Sequence, residues 1–531
     1  SMRAINIGQK IHDDVMGNDL LKKDIMLGTA LIDMYAKCSK LETARQILEE
    51  LPTRNVVSWS AIVSEYAQQG QGQEAINCFE RMQSEGISPN EVTFICVLSA
   101  CGSIGAINKG KQIHDEIVNR GLLGKDVVLG NALVDMYAKC GILDEAQKII
   151  EERSIRDVIS WSILISGYID HGQCCEALEC FRQMQSEGLC PDRVSFICIL
   201  KACGSSSAIN KGIEIHKEIL SRGLLENNDV VLGTAVIDMY VKCDVLAKAK
   251  EVLEGLPTRN VVSWNALISG YAQQGLDHEA LNCLERMQNE GVTPNVVTFI
   301  CILKACGNMG STIKGQWIHG EILNRGLLYD DIEVGNALVD MYAKCGLLTK
   351  AQQVLEELPV RDVVSWSIVI AAFALQGQSH EALNYLERMQ SEGIAPNEIT
   401  FLSVLCACSH SGLVDEAQRL FHSMIREHGI TPSLEHHTCL IVVFGCAGMF
   451  DQAISVIKVM PSPDSLDIWV ALLGTCKKWG NVKLARLAFD QVLQIDSTCA
   501  ASYVLMSNIF VDDGFLEDAK KVEEMRLKYC S

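Results

Sequence analysis

The sequence predicts an all-α solenoid of stacked helix-turn-helix repeats, and three observations predict it. The first is internal repetition. GTALIDMYAKC begins at Gly28, GNALVDMYAKC at Gly130, GTAVIDMYVKC at Gly233 and GNALVDMYAKC at Gly335, at steps of 102, 103 and 102 residues. SWSAIV around Trp59 recurs at Trp161, Trp264 and Trp366, and FICVLSACG at Phe94 recurs at Phe196, Phe299 and, loosely, Phe401. Three phrases keeping one spacing mark a repeat array, which overrides the length prior of about three to four separate domains. The second observation is apolar spacing of helical period. The third is composition: 10 prolines among 531 residues and 6% aromatics, with no alternating strand pattern, lean away from a β-sandwich.

Each unit divides into a short, a middle and a long piece of roughly 31, 35 and 36 residues, and each piece reads as two helices. In the middle piece 56–90, Trp59, Ile62, Val63 and Tyr66 fall at i, i+3, i+4 and i+7, one face of a first helix. Gly70 stands where a left-handed cap is expected. Ala75, Phe79 and Met82 mark a second helix, which Gly86 and Pro89 end. Pro89, Pro191, Pro294 and Pro396 recur because each closes a second helix before the next hairpin. One such hairpin cannot bury its own apolar stripe, so neighbours must stack.

Composition narrows the function. With 48% hydrophobic and 21% charged residues the chain is globular. A net charge of −20 removes any whole-protein basic patch for nucleic acid, though not a groove of different local charge. No apolar run approaches ~18 residues, so no membrane contact is expected. Ser1, Met2 and Arg3 begin neither a signal peptide nor an Arg/Ser-rich transit segment, so no targeting peptide is expected within this sequence. The 23 cysteines, an odd number in a long chain, read as buried free thiols rather than a disulfide framework.

The alternation of pieces resembles the plant organellar pentatricopeptide repeat proteins of the subclass in which pure, long and short motifs rotate. VVSWNALISGYAQQG from Val261 is similar to the pure motif, VVTFICILKACG from Val296 to the long motif, and VGNALVDMYAKCG from Val334 to the short one. The resemblance implies a right-handed superhelical α-solenoid. It divides the chain into a partial long motif in residues 1–24, thirteen complete motifs from Ile25 to Asp464, and two tetratricopeptide-like extension motifs in 465–531, marked by WVALLGTC and SYVLMSNIF. Such extensions follow the repeats in organelle RNA-editing factors.

In that family one repeat faces one base of single-stranded RNA. The fifth and last residues of a motif read it. Carried over, the pairs are Thr29 with Asn55, Ser60 with Asn90, Asn131 with Asp157, Ser162 with Asp192, Thr234 with Asn260, Asn265 with Asn295, Asn336 with Asp362, Ser367 with Asn397, and Thr438 with Asp464. The chemistry fits. An ionised Asp only accepts, which suits the ring N–H of G or U; Asn can donate to the bare ring nitrogen of A or C. Ser or Thr leaves room for a purine, whereas Asn reaches a smaller pyrimidine. The long motifs carry Ile95, Ile197, Ile300 and Leu402 at the fifth position and are expected to act as spacers. With N-terminal motifs towards the 5′ end, as in the family, the expected target is 5′-AAnUGnAYnUAnG, followed by nnn and the edited C.

Second residues of the motifs should flank the bases with apolar surface. Val57, Val128, Ile159, Val231, Val262 and Val364 fit, Met26 is tolerable, and Glu333 departs. Lys37, Lys139, Lys242 and Lys344 recur at one point of the short motifs and are candidates for phosphate contact, with solvated helix lysines as the alternative. His114/Glu116, His216/Glu218 and His319/Glu321 form H-x-E strings of zinc-deaminase type, but no P-C-x-x-C accompanies them. They read as ordinary second-helix positions. Cys38, Cys140, Cys243 and Cys345 share one repeat slot and Cys101, Cys203, Cys306 and Cys408 another, as packing residues do. With no P-loop or G-x-S-x-G, neither enzyme activity nor a cofactor or metal is expected. The resemblance implies a mitochondrial or chloroplast factor that addresses C-to-U editing by binding one transcript. The cytidine deaminase domain is absent from this chain and is expected either in cis beyond it or in trans. The competing reading is a tetratricopeptide-like protein scaffold indifferent to RNA sequence.

Overall fold

Asn55 adopts extended backbone, and its Oδ1 accepts the Ser58 N–H at 2.9 Å, starting the helix Val56–Gln68. That helix buries Trp59, Ile62, Val63 and Tyr66. Gly70 follows at φ +74°, a left-handed turn that a side chain would strain. The chain reverses into Gly72–Ser84, which buries Ala75, Phe79 and Met82. Asn90 then caps Glu91–Ile104 in the same manner, with its Oδ1 2.9 Å from the Thr93 nitrogen. Cap, apolar face, glycine turn and second apolar face are repeated along the chain.

The computed structural model describes residues 2–17, 25–123, 126–152, 157–225, 229–460 and 464–529, which form 32 helices and no strand. They belong to two compact units, Ser1–Leu267 and Ile268–Ser531, each a stack of helical hairpins. No described helix is long and apolar enough to cross a membrane. The first unit opens on Met2–Gly17. His12 Nδ1 lies 3.1 Å from Tyr35 Oη, the contact that His114 makes with Tyr137 at 2.9 Å and His216 with Tyr240 at 3.0 Å. Met2–Gly17 therefore stands where the second helix of a long piece stands; residues 18–24 of the expected partial motif lie outside the described residues. The second unit ends on two further hairpins, Leu466–Trp479 with Val482–Ile495 and Ala500–Asp512 with Leu516–Tyr529.

Large side chains fill the stack. Trp59, Trp161, Trp366, Phe94 and Phe196 are buried, each worth roughly 2–3 kcal/mol of transfer free energy. The H-x-E strings have structural partners. Arg120 donates to Glu116 at 2.5 Å and to the Pro89 carbonyl at 3.0 Å, with its guanidinium over Phe94. Arg222 binds Glu218 and the Pro191 carbonyl, and in the second unit Arg325 binds Glu321 and the Pro294 carbonyl. The repeated prolines thus leave carbonyls that a repeated arginine satisfies. Every described cysteine is a free thiol. Burial pushes Cys101, Cys203 and Cys408 up to about 12, so they pack as unreactive neutral groups.

Candidate nucleic-acid interface

Successive first helices form one face of each unit, and the residues carried over from the family lie along it. The last residue of a motif has two tasks. Asn55, Asn90, Asp157, Asp192 and Asn260 in the first unit, and Asn295, Asp362 and Asn397 in the second, all cap the following helix. In each, Oδ1 accepts the N–H three residues on, at 2.8–3.1 Å. Helix N-caps favour Asn and Asp in any protein. Restriction to these two residues is therefore no sign of base reading by itself. The choice between them is more telling, because Oδ1 is common to both: the cap cannot distinguish Nδ2 from Oδ2.

Fifth residues lie one helical turn further in. Ser60, Asn131, Ser162 and Asn265 of the first unit and Ser367 of the second are buried, while Thr29, Thr234, Asn336 and Thr438 are half-buried. In the short pieces the Asn meets the terminal Asp directly. Asn131 Nδ2 donates to Asp157 Oδ2 at 3.0 Å, and Asn336 Nδ2 lies 3.3 Å from Asp362 Oδ1. In the middle pieces the Ser reaches a hydroxyl of the next helix: Ser60 to Thr93, Ser162 to Ser195 and Ser367 to Thr400, each at 2.6 Å. Thr234 and Thr438 donate back to the carbonyls of Val230 and Leu434. Contact between fifth and last residues is therefore made by Asn131 with Asp157, Asn336 with Asp362 and, at 3.4 Å, Ser60 with Asn90, while Thr234 and Thr438 turn to their own helices. Ile95, Ile197, Ile300 and Leu402 are half-buried and offer no polar atom.

The second residues form an exposed apolar stripe. In the first unit it runs through Met26, Val57, Val128, Ile159, Val231 and Val262, and in the second through Val364, with Glu333 also exposed. The long pieces belong to it too: Val92 and Val194 in the first unit, Val297 and Ile399 in the second, are 49–61% exposed. Sequence reasoning missed these four, although they repeat at the same spacing. A cavity of about 470 Å³ opens on this face, lined by Ile159, Val194, Ser162, Asp192, Asp135 and Lys139. Its counterpart of about 560 Å³ in the second unit is lined by Val364, Ile399, Ser367, Asn397, Asp340 and Lys344.

Two expectations change. The recurrent lysines do not form a bare positive track. Lys37, Lys139, Lys242 and Lys344 each pair with the Asp one turn earlier, Asp33, Asp135, Asp238 and Asp340, at 2.7–2.8 Å. The Lys139 stem crosses Gly102, whose missing side chain makes room for it. Asp464 is also out of register. The helix Leu466–Trp479 has Ser465 as its N-cap, four residues before Trp469 just as Asn55 is four before Trp59, so Asp464 is exposed one residue ahead of the cap. The carboxylate assigned to the last motif does not occupy the capping position, and the G at that point of the target loses its basis. Among the described residues no cluster of His, Cys, Asp and Glu could hold a metal ion.

Models of the PPR repeat match residues 29–56, 131–152, 336–363, 399–428 and 435–462, and the PPR repeat family model matches 54–103, 156–205, 259–308 and 361–410. A mitochondrial pentatricopeptide repeat-containing protein of Arabidopsis thaliana is 32% identical over 99% of this chain and 75% of its own length. The chain belongs to the pentatricopeptide repeat family. A second mitochondrial member from Arabidopsis thaliana is 33% identical over 97% of the chain and 92% of itself. A chloroplastic one is 34% identical over 95% of the chain, which spans 62% of that relative. Among solved structures, the pentatricopeptide repeat protein PPR10 from maize superposes with a TM-score of 0.61 at 18% identity, covering 95% of this chain and 84% of that one. PPR10 in complex with an 18-nt psaJ RNA element gives 0.58 at 17% identity, covering 96% and 85%. These likenesses show the same repeat fold.

Proposed function

We propose that this chain binds single-stranded RNA of a mitochondrion or chloroplast, one base per repeat, and addresses C-to-U editing of one transcript. The observation that carries the reading is the paired polar side chains beside an exposed apolar stripe. At Asn90, Asp192 and Asn397 the cap uses Oδ1 for the helix, and the second atom, donor in Asn and acceptor in Asp, is not part of that bond; at Asp157 and Asp362 the second oxygen also accepts from Asn131 and Asn336. Valine and isoleucine side chains at the second positions are suited to flank a base on either face. Relatives assigned to mitochondria and chloroplasts support the compartment, and the RNA-bound PPR10 structure supports the ligand class. The editing role and the rotating pure, long and short subclass rest on the motif phrases and on the similarity of 465–531 to the extension motifs of editing factors. A deaminase partner, in cis or in trans, follows from that similarity alone.

The proposed target is 5′-AAnUGnAYnUAn, with the base facing Thr438 left open. The test is equilibrium binding, at one stated salt concentration, of this RNA against a version with A and G exchanged opposite Ser60 and Ser162. Tighter binding of the first supports the reading. Equal affinity would remove it in favour of a scaffold without base preference.

A further inference from the structure

The geometry points to the third residue of the long piece, Thr93, Ser195 or Thr400, as a positioning residue that decides which hydrogen-bonding face its neighbours show to a purine. This rests on the reading of fifth and last residues given above and adds a residue to it.

Thr93 Oγ1 donates to Asn90 Oδ1 at 2.7 Å, while its backbone N–H donates to the same oxygen at 2.9 Å. A flipped Asn90 amide would set its own N–H groups against these two donors, so the amide is held with Nδ2 away from the cap. The single Thr93 hydroxyl proton is spent on Asn90. With that proton on Asn90, Ser60 donates across its 2.6 Å contact with Thr93, and its Oγ, also 3.4 Å from Asn90 Oδ1, is left to accept from a base. The pair therefore offers one acceptor and one donor. Adenine presents the complement on its Watson–Crick edge, an exocyclic amino group beside a bare ring nitrogen.

The same trio with Asp at the cap gives the other purine. Ser195 Oγ donates to Asp192 Oδ1 at 2.6 Å and accepts from Ser162 at 2.6 Å. Ser162 Oγ and Asp192 Oδ2 then both accept, which suits the ring N–H and amino group of guanine. In the second unit Thr400 donates to Asn397 Oδ1 at 2.9 Å, so the Ser367 proton lies towards Thr400 at 2.6 Å, with the Val363 carbonyl at the same distance competing for it. The third residue of a middle piece behaves differently. Ser58, Ser160 and Ser365 turn their hydroxyls to the carbonyl of the cap residue itself at 2.9 Å and leave the carboxamide or carboxylate alone. Thr93, Ser195 and Thr400 thus couple their hydroxyls to the cap side chain, where Ser58, Ser160 and Ser365 bond the cap carbonyl.

The roles predict an asymmetry. An amide must be held one way round to select adenine, whereas a carboxylate accepts from either oxygen. Thr93→Val keeps the branched shape, the cap N–H and the burial. It should reduce the A-over-G preference at the base opposite Ser60 by about tenfold. Thr93→Ser should restore it. Ser195→Ala should change the G-over-A preference opposite Ser162 by less than about threefold.

The measurement is fluorescence anisotropy of the full chain and each variant with target RNAs differing at one base, with thermal unfolding alongside. Loss of preference confined to the base opposite Ser60 supports the inference. Unaltered A/G preference in Thr93→Val, with affinity for all RNAs reduced together or not at all, overturns it and leaves the base-reading proposal standing. Absence of A/G preference in the unmodified chain takes down both.

Discussion

Asn90→Asp exchanges one atom, Nδ2 for Oδ2, and isolates reading from folding. The cap bond to the Thr93 N–H uses Oδ1 and survives. A carboxylate at a helix N-terminus gains ~0.3–1 kcal/mol from the macrodipole. Glu91 in the same first turn opposes part of this gain, so the net change in stability should be under ~0.5 kcal/mol. Asn90→Ala, by contrast, deletes the cap at a cost of ~1 kcal/mol. At the base the sign of one contact reverses. A mispaired donor or acceptor costs roughly 1–3 kcal/mol. A modest 1.4 kcal/mol in each direction turns a tenfold preference for A into a tenfold preference for G, about a hundredfold swing. Ser162, Ser195 and Asp192 are a close counterpart of the product of this substitution, with Ser195 standing where Thr93 stands. Anisotropy titrations with A or G opposite Ser60, beside thermal unfolding of the same samples, measure both quantities. If Asn90→Asp weakened A and G equally, or kept the preference for A, the last residue would be a cap and nothing more.

Asp135→Asn and Asp340→Asn leave Lys139 and Lys344 without their ion-pair partners, so RNA binding at low salt should tighten. The slope of log affinity on log salt should steepen by about 0.7 for each lysine that then meets a phosphate; an unchanged slope would show that these lysines stay clear of the backbone. Burial holds the imidazoles of His114, His216 and His319 below their ordinary value. Such groups take up protons first in the unfolded chain, so their contribution is complete above about pH 6.5 and is lost as pH falls from there through the lowered values. Denaturant midpoints should fall between about pH 7.5 and 5.5, and replacing all three by Gln should flatten that fall; an equally steep fall in the triple variant would place the cause elsewhere. At the end of the array, Ser465→Asp should create a preference for G opposite Thr438, whereas Asp464→Asn should leave base preference there unchanged. A clear effect of Asp464→Asn would restore the original register.

The helices were legible because their determinants are local. Trp59, Ile62, Val63 and Tyr66 state the period, Gly70 states the turn, and Ala75, Phe79 and Met82 state the second helix, so the hairpin follows from local sequence without tertiary knowledge. The double duty of Asn55, Asn90 and Asp157 was less visible. In sequence they read as base contacts alone, whereas capping by itself narrows the choice to much the same residues. The clue was the spacing Asn55–Ser58 and Asn90–Thr93, which is that of a capping box. Register at Asp464 failed for want of an anchor: counting 31 residues from Leu434 overlooks that Trp469 fixes the next helix one residue later. The pairing of Lys139 with Asp135 needed only i,i+4 reasoning. What no pattern could supply was proton direction in the Ser60, Thr93 and Asn90 trio, because it depends on two hydroxyls from different hairpins meeting at 2.6 Å.

A cap whose helix bond uses Oδ1 alone, as at Asn90, holds either side chain at a small difference in cost, and this gives the architecture an uncommon freedom to evolve. Asn and Asp codons differ by one letter, so a single point mutation rewrites one character of the recognised message while the protein folds as before. Drift in a transcript can be followed by its binder step by step, with no intermediate that must pass through an unstable form.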